Sequence, residues 1–284
     1  MSQKTKVKIK KISEDTFLLW IPLILFMVFI LIPLFWALSV SFKEAKEVVN
    51  GTFSILPAQI SLENYLYVWK TNKISIYFRN SLIVSVASVS FVVFLAMCNG
   101  YALSHCQFKG KNAFIIILLM TQMVPGILTL TPLFIMVSKM GLTDTRLALI
   151  ILNIAGGIPY NTLLMKGFIG GVPRELDEAA IIDGCTRPQV ITKIIVPIIR
   201  PGIVTVAAFS FISCWNEYLT SYTFLSTNSK FPISVGLKYM IGEFSVNYSA
   251  LAAGSIIALV PPLLLFGYVQ KYLVSGMSAG AVKG

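Results

Sequence analysis

Six stretches of this chain are long enough, and free enough of charge, to cross a bilayer: Phe17–Phe42, Ser81–Ser104, Ala113–Ser138, Leu147–Met165, Pro201–Ser229 and Phe244–Gln270. About 20 mainly apolar residues suffice for one helical crossing. Backbone groups in hydrocarbon have no water to bond, so each run must satisfy itself as helix. Only Glu217 interrupts the fifth run. Of the 284 residues, 56% are hydrophobic and 12% charged, about half the charge of an average soluble domain. The expected fold is all-α and polytopic, with six transmembrane helices. Phe17–Phe42 is too long for a signal-peptide core and reads as a retained span.

Net charge is +11, but the cations flank apolar runs and are not interleaved with aromatics, so nucleic-acid binding is not expected. With residues 1–16 inside, the inner segments hold Lys4, Lys6, Lys8, Lys10, Lys11, Lys109, Lys111, Lys166, Arg174, Arg187, Lys193, Arg200, Lys271 and Lys283. The remaining nine of the 23 basic residues fall outside. Positive charge thus predicts both termini, 1–16 and 271–284, on the cytoplasmic side. The larger outer segments are then 43–80 and Lys230–Glu243.

Catalytic chemistry has little material. Cys98, Cys106, Cys185 and Cys214 show no metal or disulfide spacing. His105 is the sole histidine and is expected at the surface beside a membrane interface. No phosphate-binding loop is present: Asn112 follows Gly110–Lys111, and His105 stands where the motif's first glycine would be. Pro22, Pro33, Gly100, Pro125, Gly126, Gly156, Gly157, Pro159, Pro261 and Pro262 lie within the apolar runs. Singly they read as tolerated kinks; together they suit a bundle that rearranges.

The longest inner segment, 166–200, carries nine charges and reads as two short helices. Pro173 suits a first helical position, and Glu175, Asp177 and Glu178 follow where the helix dipole favours anions. Gly184 fits the left-handed position after the last turn, and Thr186 can cap a second helix with Pro188 in its first turn. Pro197 and Pro201 close it. Leu176, Ala179, Ala180 and Asp183 share one face, and Val190, Ile191, Ile194 and Ile195 another. Such apolar faces need a partner. The segment could lie back on its own helix ends or fit a groove on another protein, and residue chemistry alone leaves both open.

This segment resembles the EAA loop of ABC-transporter permease subunits, whose pattern is E-A-A, three residues, G, nine residues, I, one residue, L-P. Here the positions are Glu178, Ala179, Ala180, Gly184, Ile194 and Pro197, with Asp183 before the glycine and Val196 in place of leucine. Four further stretches, LENYLYVWK, ALSHCQFKGK, GFIGGVPRELDEAAIIDG and FISCWNEYL, resemble carbohydrate-uptake permeases related to the maltose transporter's smaller membrane subunit. The ending QKYLVSGMSAGAVKG does so too.

The resemblance implies a type I importer permease domain over 76–270. It implies pairing with a second, homologous permease as a heterodimer, and two cytoplasmic ATPase subunits that bind ATP and Mg. An extracytoplasmic solute-binding protein would deliver a sugar, and this chain would hold no cofactor itself. The EAA loop would be the coupling helix, lying in a groove of the ATPase. Within the spans, Thr121, Gln122, Asn153, Tyr160, Asn161, Trp215, Asn216, Glu217 and Tyr218 are candidates for the translocation path, since intramembrane polar groups mark pathways. Asn216 lies 15 residues beyond Pro201, about 22 Å along a helix and in the outer half of a core about 30 Å thick. The same groups could instead bond neighbouring helices. An ion-gradient-driven secondary transporter or channel is the alternative, but such proteins place several carboxylates near the midplane, and Glu217 is the only acid in these spans.

Overall fold

The structure is a computed structural model that describes residues 16–49, 54–242 and 246–281. The N-terminal lysines Lys4, Lys6, Lys8, Lys10 and Lys11, together with Phe244 and Lys283, lie outside the described residues. Every extended element among the described residues is helical, apart from one isolated antiparallel bridge between Ile241 and Val246. The chain divides into two compact units, Met1–Asn72 with Met240–Ile257, and Lys73–Tyr239 with Ala258–Gly284.

In the first unit, α1 (Ile21–Ser41) follows a π-turn at Thr16–Trp20, and short helices α2 (Ala45–Val49) and α3 (Glu63–Lys70) come after it. The run Phe17–Ser41 is exposed along most of its length, as befits a helix apolar on all sides and surrounded by lipid. Only its end is fixed. Ser39 Oγ donates to the Ile55 carbonyl at 2.5 Å, and Ser41 Oγ lies 2.7 Å from Tyr65 Oη. Asn64 Nδ2 donates to the Ser41 and Lys43 carbonyls at 3.0 and 2.8 Å. The buried Lys43 ammonium bonds the Ser54 carbonyl, with Glu47 at 3.8 Å and the Trp36 ring at 5.2 Å.

The second unit is built on α4 (Ile74–His105), α5 (Lys111–Met123), α6 (Gly126–Lys139), α7 (Arg146–Gly170), α8 (Glu175–Ile182), α9 (Arg187–Val190), α10 (Val196–Ile198) and α11 (Arg200–Asn216). After these come α12 (Leu219–Phe224), a 3-10 turn at Asn228–Lys230 and α13 (Ile233–Tyr239). The last helix, α14 (Tyr248–Ala281), continues through Pro261 and Pro262. α4 buries a stripe at Ser81, Ser85, Ser88, Val92, Ala96 and Gly100. Small residues let membrane helices approach closely. A Cβ on Gly100 would sit 3.0 Å from the Lys166 backbone nitrogen on α7. Gly202 is tighter still, with a notional Cβ 2.4 Å from the Phe168 ring.

Among the described residues, four unbroken helical runs are long and apolar enough to cross a membrane: Phe17–Ser41, Ile74–His105, Arg146–Gly170 and Tyr248–Tyr272. The other two expected spans differ from straight rods. Ala113–Ser138 is two helices meeting at 99°. Val124 is extended ahead of Pro125 (φ −79°, ψ 120°), as steric conflict with the proline ring requires. Pro33, Pro159, Pro261 and Pro262, by contrast, ride inside continuing helices. The expected span Pro201–Ser229 stops at Asn216, and its helix, Arg200–Asn216, has 17 residues, about 26 Å. Glu217 ends it. Its backbone is extended and its carboxylate accepts Thr220 N–H at 2.6 Å and Ser221 N–H at 2.9 Å, so the one acid of the span starts α12.

Asp144, between α6 and α7, joins the loops at one end of this unit. Its φ of +56° is a left-handed conformation that Asp tolerates better than most residues. Oδ1 accepts Ser226 and Thr227 N–H at 2.9 Å each, and Oδ2 takes Thr227 Oγ1 at 2.5 Å and Lys230 Nζ at 2.7 Å. Burial alone would raise the carboxyl's pKa, but the bonds from Lys230, Thr227 and Ser226 outweigh it and hold it well below the ordinary carboxylate range.

A carboxyl so depressed favours the folded state while it is ionised. Its contribution is complete at neutral pH and is lost as pH falls below the ordinary value of about 4. The thermal midpoint of the solubilised protein should therefore exceed that of Asp144→Asn at neutral pH, and the gap should narrow steadily under acid. A gap that ignores pH would mean the charge does not hold these loops.

Candidate functional site

The connection from α7 to α11 forms a compact bracket. α8 ends in a Schellman turn: Cys185 N–H bonds the Ala180 carbonyl at 2.9 Å and Gly184 N–H the Ile181 carbonyl at 3.0 Å, with Gly184 at φ +84°. Thr186 then heads α9, and its N–H donates to Gln189 Oε1 at 2.8 Å. The helical path continues through a π-turn at Ile191–Ile195 and α10, then breaks at Ile199 between Pro197 and Pro201. There it turns 85° into α11. Pro173 precedes the capping residue Arg174 and so lies just outside α8, not at its first position.

Of the two placements left open by the sequence, packing on the chain's own helices is seen for the apolar side of the bracket. Ala180, Val190, Ile195 and Ile199 lie back on the chain's own helices, in one core with Ala96, Met97, Tyr101, Met165 and Ile169. Ile194 packs against its edge. The opposite face of α8 and its exit turn carry Glu178, Ala179, Asp183 and Gly184, all exposed, with Pro197 exposed farther on. Ala179 and Ala180 are expected on one face, but only Ala180 is buried; Ala179, about 100° farther round the helix, is exposed. The sequence reading also passed over Ile182. It is 85% exposed at the end of α8, and its i+4 spacing from Glu178 was the available signal.

A second correction concerns Asp177 and His105. Asp177 was placed among the dipole-facing acids and His105 at the surface, yet their side chains are only 9% and 3% exposed. Asp177 Oδ2 accepts Tyr101 Oη–H at 2.8 Å and lies 2.7 Å from His105 Nδ1. His105 Nε2 is 3.1 Å from the Ile169 carbonyl, which can only accept, so Nε2 carries a proton. Asp177 Oδ1 is buried without a hydrogen-bond partner among the described residues. A carboxylate on α8 is thus tied to two side chains at the end of α4 and, through His105, to α7.

The candidate path residues sit in different settings. Trp215 is buried, its Nε1 donating to the Ala258 carbonyl at 3.0 Å and its ring edge-on to Phe78. Asn161 is buried and donates to the Gly157 carbonyl at 2.8 Å, and Glu217 caps α12. Tyr218 is half-buried and stacks on Tyr222 at 5.4 Å, and Asn153 is half-buried. Thr121, Gln122, Tyr160 and Asn216 are exposed. No group of His, Cys, Asp and Glu among the described residues is arranged to hold a metal ion.

Residues 100–279 match the family of binding-protein-dependent transport system inner membrane components. The inner membrane ABC transporter permease protein YcjP of Escherichia coli is 35% identical, over 92% of this chain and 94% of its own length. The diacetylchitobiose uptake system permease protein DasC of Streptomyces coelicolor is 30% identical, over 89% and 91%. Among solved structures, a bacterial ABC transporter involved in import of the acidic polysaccharide alginate superposes with a TM-score of 0.80. It shares 22% identity and covers 96% of this chain and 98% of its own.

Truncating one partner of a buried, hydrogen-bonded charge typically costs about 3–5 kcal/mol. Asp177→Ala would leave Tyr101 Oη and His105 Nδ1 buried and unpaired. It should abolish hydrogen-exchange protection across residues 175–182 while sparing the middle of α4. Unchanged protection of α8 would show that the apolar contacts of Ala180 suffice to hold it.

Proposed function

The chain belongs to the inner membrane components of binding-protein-dependent transport systems, and from that membership we propose that it carries a sugar or oligosaccharide inward. It is a non-catalytic subunit, and ATP hydrolysis belongs to a partner ATPase. In this reading the chain pairs with a second, homologous permease, rests on two ATPase subunits and receives cargo from an extracytoplasmic binding protein. Both termini and the 171–199 bracket face the cytoplasm, in keeping with the excess of Lys and Arg in those segments. The carbohydrate assignment draws support from the diacetylchitobiose relative.

The observation that carries the coupling role is the two-sided bracket. One side is sewn into α4 and α7, so a force on α8 reaches the membrane helices. The other offers Glu178, Ala179, Ile182, Asp183 and Gly184 to a partner. Ile182 would seat in an apolar depression of the ATPase, the small Ala179 would allow close approach, and the acids would meet basic or polar groups at its rim. On the cargo side, exposed Gln122, Tyr160 and Asn216 are the better candidates for the path. Trp215, Asn161 and Glu217 act by shaping the helices.

Gly184 tests the reading because a side chain there meets no atom within 4 Å. Its left-handed backbone adds a strain of about 1–2 kcal/mol. Gly184→Arg should therefore insert and assemble with its partner permease, yet uncouple cargo uptake from ATP hydrolysis in proteoliposomes. Uptake at the wild-type rate in that variant would refute the coupling assignment.

A further inference from the structure

Beside the bracket lies a cavity of about 350 Å3 at the ends of α4 and α7 and the start of α5. Its polar lining includes Ser104, Lys111, Asn112, Lys166 and Arg174, while Ile115 and Val172 form an apolar wall. His105 closes one side, already committed to Asp177 and Ile169. No carboxylate lines the cavity. The ion pairs among the described residues are Lys43–Glu47, His105–Asp177 and Lys230–Asp144, and none includes Lys111, Lys166 or Arg174.

Two of these cations are held by carbonyls at the end of α4. Arg174 Nη2 donates to Ser104 O at 2.7 Å, and Lys111 Nζ to Cys106 O at 3.2 Å. The Lys166 ammonium has no partner among the described residues. Lys111 and Lys166 are half-buried. Partly desolvated cations that lack a counter-charge are costly, and convergence of three on one cavity is more than flanking a span requires.

We propose that this cavity binds the phosphate of an anionic phospholipid. Basic pockets between helices at the membrane surface recognise such headgroups. The depth is suitable: α4 has 32 residues, about 48 Å, which exceeds a hydrocarbon core of about 30 Å and carries its end to headgroup level. The apolar wall favours a lipid over a free anion, because Ile115 continues into the exposed Ile116 and Ile117 on α5, along which acyl chains can lie. Lys111 and Lys166 contact the phosphate, and Arg174 borders it next to the capped start of α8. The site is independent of the cargo and of the coupling role.

Native mass spectrometry of the full chain in detergent tests this, with phosphatidylglycerol or phosphatidylcholine of identical acyl chains as probes. The wild type should retain phosphatidylglycerol preferentially. Replacing both lysines by Gln should reduce that preference about 25-fold, taking a surface lysine's usual contribution for each. Lys111→Arg with Lys166→Arg should keep it, which separates loss of charge from misfolding. Equal retention of both lipids by the wild type would overturn the proposal. So would an equal loss on neutralising Lys139 and Lys238, which lie away from the cavity, or displacement of the lipid by millimolar inorganic phosphate.

Discussion

One carboxylate oxygen, Oδ2 of Asp177, holds the bracket to the membrane helices. It receives Tyr101 Oη and lies against His105 Nδ1 in a setting almost closed to water. Hydrogen bonds to a charged group in low dielectric are strong, and an unmet one is costly. The apolar contacts of Ala180 and Val190 give the bracket adhesion, but they are non-directional. Asp177 supplies direction, fixing the rotation of α8 about its own axis. That rotation decides that Ala180 faces inward and that Glu178, Ala179 and Ile182 are exposed.

Two breaks in the helices shape the rest of the second unit, and both have local causes. Pro125 removes a backbone donor and forces Val124 out of the helical region, so α5 and α6 meet nearly at right angles. At Glu217 an acid that would be costly in hydrocarbon is absorbed by the N–H groups of a new helix. Irregular backbone at membrane depth is tolerated where protein supplies its bonds. Here Ser234 Oγ donates to the Glu217 backbone carbonyl at 2.7 Å, while the Glu217 carboxylate takes the Thr220 and Ser221 N–H groups.

How legible these features were in sequence depended on distance along the chain. The glycine stop at 184 and the Thr186 cap could be read because each involves neighbours within a few residues; the Gln189 half of the cap was not read. The helical class and the unbroken spans followed from runs of apolar residues. The burial of Asp177 did not, because its partners lie 72 and 76 residues away, and no local pattern distinguishes a dipole-facing Asp from a buried one. His105 was misplaced for the same reason. Trp215 and Asn161 were read as path candidates by type, whereas packing gives each a backbone carbonyl as partner. Proline was ambiguous: Pro125 breaks its run while Pro33 and Pro159 ride inside continuing helices.

The first helix is apolar on every side, and its described ties gather at its end, where Ser39 and Ser41 meet Ile55, Asn64 and Tyr65 and Lys43 lies over Trp36. A helix of that kind has no preferred azimuth of its own. Along most of α1 no described side chain covers one face in preference to another, so spinning the rod about its axis would exchange one lipid contact for an equivalent one. Its orientation along that length must be imposed from outside, by whatever molecule first offers it a shaped surface. In that sense the helix is an adaptor whose setting is supplied by assembly, in contrast to α8, whose setting is written into a single carboxylate.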